Sequence, residues 1–304
     1  MHICGVVDWV VHMRGASRSQ PLRLLSTARA QYTTHRRSIL CLGDSITEYA
    51  SHIGTSTTLQ VARHPRGSPL GSDTEQGPGW VALLARDYAW SRRADVLNRG
   101  FGGYNSRMLL EALDDALLPT DRDSVAAVTL TLGSNDSHCS SHALHVPVDE
   151  FEHNLSEILS QLQAKLPFAQ RILLSPPPCD ADDWRAYSLR MSDGLDDGGG
   201  LGSDGLAPYV RAARRVAGVA QEVRFIDLFL AMHSRAGWRA LLQADGLHLS
   251  AAGNAMVHAL VAEALADVGR APLDLPVHLP HWLAKTSPDA FDAEGVPLDA
   301  GNGR

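Results

Sequence analysis

Four short polar clusters in this chain hold residue types that could, together, attack a carbonyl carbon. They are Gly43-Asp44-Ser45, the Gly103 and Asn105 pair, Asn135-Asp136, and Asp245 with His248. A serine hydroxyl is a poor nucleophile until a neighbouring base takes its proton. An imidazole suits that task because its charge changes near neutrality. It works best when its second nitrogen donates to a carboxylate. Asp245 and His248 are three residues apart, so one turn can join carboxylate to ring. Attack on an ester carbonyl also creates an oxyanion, which needs donors already in place. The backbone N–H groups of Ser45 and Gly103 and the side-chain amide of Asn135 are of the right kind, and glycine at 103 lets the backbone come close. Taken singly, each cluster reads more simply as punctuation: a cap, a tight turn, a loop residue or a surface histidine.

Position is what joins them. Residues 38–42 form a short apolar run ending at Gly43, the pattern of a central parallel strand. Further strands are expected at 95–98, 125–132, 171–175 and 222–228. Helices are expected at 80–90, at 108–117 up to Pro119, and from 149 for about four turns. Others follow at 209–220, 238–242 and 251–266, the last capped by Ser250. Strands alternating with helices predict an α/β fold with a parallel sheet covered on both faces. Every polar cluster then falls at a strand end or just before a helix, where such sheets bind ligands. The strand order does not follow from the pattern.

The rest of the chain bounds the problem. It has 304 residues, 44% apolar and 20% charged, with a net charge of −7. That acidity argues against nucleic acid as a partner, since phosphate binding needs a basic surface. No run approaches the ~20 apolar residues of a membrane span. Cys4, Cys41, Cys139 and Cys179 show no CxxC spacing, so neither a zinc site nor a disulfide framework is indicated. His138, His142 and His145 lie in a serine-rich loop without a nearby acid ligand and read as solvated surface, not a metal site. The oligomeric state is not legible.

Residues 1–37 carry six arginines against one acid, Asp8, with frequent serine and threonine. That pattern matches an organelle transit peptide. A disordered extension, or a true start at Met13, are the alternatives. The chain is accordingly expected in the cytoplasm, or in a mitochondrion or plastid if the segment is a transit peptide. One domain is expected over 38–270, with loop insertions near 51–78 and 192–205. An irregular tail over 271–304 follows, anchored by Trp282. The 51–78 loop reads as a rim over the site or as an insertion without function.

The segments Gly43-Asp44-Ser45, Asn98-Arg99-Gly100-Phe101-Gly102-Gly103-Tyr104-Asn105, Gly133-Ser134-Asn135-Asp136 and Asp245-Gly246-Leu247-His248 resemble, in order, the four blocks of GDSL/SGNH hydrolases. The second segment, Asp245 through Ser250, and Leu279-Pro280-His281-Trp282 are most similar to the isoamyl-acetate-hydrolysing esterases. The resemblance implies a flavodoxin-like five-stranded parallel sheet, the SGNH hydrolase fold. It also implies hydrolysis of short-chain, acetate-type esters through an acyl-enzyme, without metal or cofactor. Carried over by motif, Ser45 is the nucleophile, His248 the base and Asp245 its orienting acid. Gly103 and Asn135 complete the oxyanion hole with the Ser45 amide, and Asp44, Asn105 and Asp136 support them. An acyltransferase using the same acyl-enzyme and an idle binding module are the alternatives. No Gly-x-Ser-x-Gly elbow occurs, which disfavours an α/β-hydrolase. The glycine-rich segment lacks the third glycine of a dinucleotide fingerprint.

Overall fold

The computed structural model describes residues 35–53, 77–191 and 201–279. The expectations for a transit peptide, for most of the 51–78 loop, for much of the 192–205 stretch and for Trp282 lie outside the described residues.

Five strands alternate with helices as the pattern demands. They are β1 (Arg37–Gly43), β2 (Ala94–Gly100), β3 (Val125–Thr131), β4 (Gln170–Leu174) and β5 (Val223–Ile226). All pair in parallel, in the order β2-β1-β3-β4-β5. This is the flavodoxin-like order, and its direction reverses at β1, between β2 and β3. The clusters that follow β2, β1 and β3 therefore emerge side by side.

Alternation along β1 divides the core in two. Ile39 and Cys41 face a layer that includes Trp80, Leu84, Val257 and Val261. These come from α2 (Trp80–Ala89) and α9 (Ala251–Asp267). Leu40 and Leu42 face the other layer, with Leu109, Phe151, Leu155 and Ala213. That layer holds α3 (Ser106–Glu111), α4 (Leu113–Ala116), α5 (Val148–Lys165) and α7 (Ser203–Val219). A strand apolar on both sides is buried on both sides, as in β1 and β3. Each fully buried Leu or Ile contributes roughly 1.5–3 kcal/mol.

The structure differs from the sequence reading at several elements. The helix expected through 108–117 breaks at Ala112, which leaves helical geometry at φ −91°, ψ 6°. Its apolar spacing survives the break, so Leu109, Leu113 and Leu117 all stay buried. The helix from 149 runs 18 residues, about five turns rather than four. Residues 203–205, expected in a flexible excursion, are the first turn of α7, and Leu201 and Leu206 beside them are buried. Three α-helices among the described residues were not anticipated: the short one over Ser45–Glu48, expected as a turn, α6 (Ala181–Met191) and α8 (Leu228–His233). Among the described residues, no helix is long and apolar enough to cross a membrane.

Candidate active site

The site is assembled from four loops above the strand ends. β1 stops at Gly43, and the Asp44 carboxylate accepts from the Ile46 N–H at 2.9 Å. That cap starts the four-residue helix α1 (Ser45–Glu48), with Ser45 as its first residue. The Ser45 Oγ lies 2.9 Å from His248 Nε2, and His248 Nδ1 lies 2.6 Å from Asp245 Oδ2. An ionised carboxylate only accepts, so Nδ1 donates and Nε2 is left to accept from the Ser45 hydroxyl.

The turn that carries Asp245 and His248 is tightly tied. Asp245 Oδ1 accepts from the Leu247 and His248 N–H groups at 2.9 and 3.0 Å. The Gln243 N–H donates to the His248 carbonyl, and the Asp180 N–H donates to the Gly246 carbonyl. Burial pushes the Asp245 carboxyl up. The hydrogen bond and charge of His248, with those two backbone donors, outweigh this and hold it below the usual range. Tyr49 and Trp184 pack against the imidazole, at ring separations of 4.9 and 6.4 Å.

Three donors on the loops after β1, β2 and β3 have capacity to spare. The residues Phe101 to Tyr104 form a turn closed by the Tyr104 N–H on the Phe101 carbonyl at 3.1 Å. Gly103 holds its third position at φ +80°, the geometry of a type II turn, which a residue with a side chain rarely adopts. Among the described residues, neither the Ser45 nor the Gly103 N–H has a hydrogen-bond acceptor. Asn135 Nδ2 donates one hydrogen to the Tyr104 carbonyl at 2.9 Å, which leaves its second hydrogen available. Sites of this kind stabilise negative charge on an oxygen.

Beneath these donors lie buried caps. Asn105 Oδ1 accepts from the Met108 N–H and starts α3, while its amide donates to the Leu144 carbonyl. Asp136 Oδ1 accepts from the Ser106 N–H at 2.9 Å. Asp44 and Asp136 are fully buried, and the second oxygen of each has no partner among the described residues. Burial, reinforced by the nearby Asp136 charge, pushes Asp44 up to about 7. Burial likewise pushes Asp136 up to about 6, opposed by its hydrogen bonds from Ser106 and by Arg107.

The histidine loop departs from its reading as solvated surface. His138 is 5% exposed and stacks on His142 at 3.9 Å, with Trp184 beyond it. Burial, followed by the charges of His142 and His145, pushes His138 down to about 4. The helical turn after Asn135 carries it inward. Among the described residues, no group of three or more His, Cys, Asp or Glu side chains could hold a metal.

Sequence reasoning missed Glu48, Tyr49 and Trp184, and gave the Asn98 side chain no role. The signal for Trp184 was present: Asp180 caps α6 with two acids in its first turn. Nothing local marked the others, whose partners are distant in sequence. A cavity of about 410 Å³ lies beside His248, lined by Ile46, Glu48, Tyr49, Ala50, Leu249 and Ala251 among others. None of Ser45, Gly103 and Asn135 lines it.

Comparison with known proteins bears on the family and the fold. Residues 41–256 match the GDSL-like Lipase/Acylhydrolase family. A GDSL esterase/lipase of Arabidopsis thaliana is 32% identical over 253 residues, covering 81% of this chain and 92% of the relative. An isoamyl acetate-hydrolyzing esterase 1 homolog of Bos taurus is 29% identical, covering 83% of this chain and 90% of the relative. The solved lipase/acylhydrolase from Enterococcus faecalis superposes with a TM-score of 0.54 at 24% identity, covering 76% of this chain and 96% of that one.

Proposed function

This chain belongs to the GDSL-like lipase/acylhydrolase family and is a carboxylic ester hydrolase; from that premise we propose that it is a serine esterase acting through an acyl-enzyme on Ser45. The observation that carries the proposal is the line from Ser45 Oγ through His248 to Asp245, at 2.9 and 2.6 Å.

The steps follow from those contacts. His248 Nε2 takes the hydroxyl proton as Oγ bonds to the ester carbon, and the carbonyl oxygen gains the electron pair. That oxygen is held by the Ser45 and Gly103 N–H groups and the second Asn135 hydrogen. Collapse expels the alcohol, whose oxygen receives the proton from His248, and leaves the acyl group on Ser45. Water then repeats the sequence, giving its proton to His248 and releasing the acid with Ser45 restored. Asp245 holds the ring with Nε2 toward Ser45 and balances its transient positive charge.

Because His248 protonates the leaving oxygen, the alcohol half lies on the His248 side. The 410 Å³ cavity there has an apolar wall from Ile46, Ala50, Leu249 and Ala251, and a carboxylate at Glu48. That lining suits a neutral alcohol. The acetate-type preference is carried by the likeness to isoamyl acetate-hydrolyzing esterases. The test is hydrolysis of p-nitrophenyl acetate, butyrate and octanoate by wild type and Ser45→Ala. Turnover that falls with acyl length and disappears in the variant is the expected result. Equal rates for the two proteins would remove Ser45 from the chemistry.

A further inference from the structure

The serine and the turn beside it are not independent: two side chains stitch them together. Asn98, near the end of β2, donates from Nδ2 to the Thr47 carbonyl at 2.7 Å, the Glu48 carbonyl at 3.1 Å and Ser51 Oγ at 2.6 Å. Its Oδ1 accepts from the Gly100 N–H at 2.8 Å. Asn98 thus binds the exposed carbonyls at the end of α1, which a helix this short cannot satisfy within itself. Glu48 completes the connection from the other direction. Its Oε2 accepts from the Gly102 N–H at 2.7 Å.

The turn is therefore held at several corners. Phe101 N–H is tied to the Gly43 carbonyl at 2.9 Å, Gly102 N–H to Glu48, and the Tyr104 carbonyl to Asn135. The peptide between Gly102 and Gly103 is the central unit of the turn. That unit carries the Gly103 N–H, whereas the Gly102 N–H belongs to the preceding peptide, between Phe101 and Gly102. The Gly102 N–H, anchored on the helix that carries Ser45, fixes where the Gly102 Cα from which that unit hangs sits relative to the hydroxyl.

We propose that Glu48 is a positioning residue for the ester hydrolysis: by holding the Gly102 N–H it aims the Gly103 N–H at the oxyanion formed on attack by Ser45. The proposal rests on the serine reading given above. It assigns Glu48 no contact with substrate at the reacting atoms. A misplacement of about 1 Å can cost up to 10²-fold in rate. Loosening one donor without deleting it is accordingly expected to cost about tenfold, less than the 10²–10³ of outright removal.

Glu48→Ala is expected to lower kcat about tenfold on p-nitrophenyl acetate, with KM changed less than twofold. It is also expected to weaken binding of a boronic acid, which mimics the tetrahedral adduct, by a similar factor. Glu48→Gln keeps an acceptor oxygen and should recover kcat to within about threefold of wild type. Gly102→Ala supplies an independent route. A Cβ there would collide with Glu48 Oε2, so the carboxylate must move away. The same kcat loss is expected, and the double variant Glu48→Ala/Gly102→Ala should be no slower than either single one.

Full kcat in Glu48→Ala, a Glu48→Gln as slow as Glu48→Ala, a loss carried by KM, or additive losses in the double variant would each overturn the proposal. Ser45→Ala separates the two levels. If it is inactive while Glu48→Ala runs at full rate, only the positioning role fails. If Ser45→Ala itself stays active, the serine reading fails and takes this role with it.

Discussion

Two aspartate–histidine contacts among the described residues share a length and differ in setting. In one, Asp245 Oδ2 meets His248 Nδ1 at 2.6 Å; in the other, Asp87 Oδ2 meets His258 Nε2 at 2.7 Å and joins α2 to α9. Distance does not separate them. The choice of nitrogen does. A carboxylate on Nδ1 leaves Nε2, the far corner of the ring, pointing away from its own backbone, and there it finds Ser45. A carboxylate on Nε2 occupies that corner, and only the nitrogen nearest the chain is left. Burial separates them as well: the Asp245 and His248 side chains are 9% and 12% exposed, against 29% and 18% for Asp87 and His258. The Asp245–His248 pair sits in one tied turn, whereas the other clamps two helices.

The sharpest way to break the comparison is to remove each histidine. His248→Ala is expected to lower kcat by about 10⁴ or more. His258→Ala should leave kcat within twofold, measured on p-nitrophenyl acetate. Equal losses would mean that both act only through stability. Replacing the acids comes next. Asp245→Asn should cost about 10³–10⁴ in kcat by releasing the ring from its tautomer, while Asp87→Asn should cost none; an Asp245→Asn enzyme near full rate would show that the turn alone holds the imidazole. Asn135→Ala follows, with an expected loss of about 10²–10³ in kcat and an unchanged circular dichroism spectrum. A near wild-type kcat would remove Asn135 from the oxyanion site.

Carboxyls without a histidine sharpen the contrast through pH. Asp44 and Asp136 titrate near 7 and 6 in the folded protein, above the 3.8 of an ordinary aspartate, because burial disfavours their charge. The folded state then binds more protons than the unfolded chain across that window, so stability falls as pH rises from about 4 through about 7. Asp245 is shifted the other way, and its contribution is lost only as pH falls below the ordinary carboxylate range. Asp136→Asn should flatten the decline of the urea midpoint between about pH 4 and about pH 6, and an unchanged slope there would contradict the assignment. The smallest effect is expected from Asp87→Asn, where loss of a partly exposed pair should lower Tm by no more than about 3 °C.

Much of this was legible in the chain itself. The apolar run before Gly43, the strand expected at 125–132 and found at Val125–Thr131, and the Ser250 cap on α9 are local signals, readable because burial and capping act over a few residues. Asp245 and His248 could be paired from their spacing because one turn spans them. The helix α6 was overlooked although its capping acids are plain, and the inward turn of His138 was misread because its burial depends on α6 packing over it.

The sequence by itself determined the residue types, their order at strand ends and the parallel α/β class, since these depend on periodicity, turn chemistry and composition. Only the tertiary structure decided that β1 lies between β2 and β3, so that Ser45, Gly103 and Asn135 share one edge. Only it decided which histidine nitrogen faces Ser45, across 203 positions of chain, and that Glu48 reaches Gly102 across 54. Contacts at such separations are fixed by how whole layers pack, and no window of neighbouring residues encodes them.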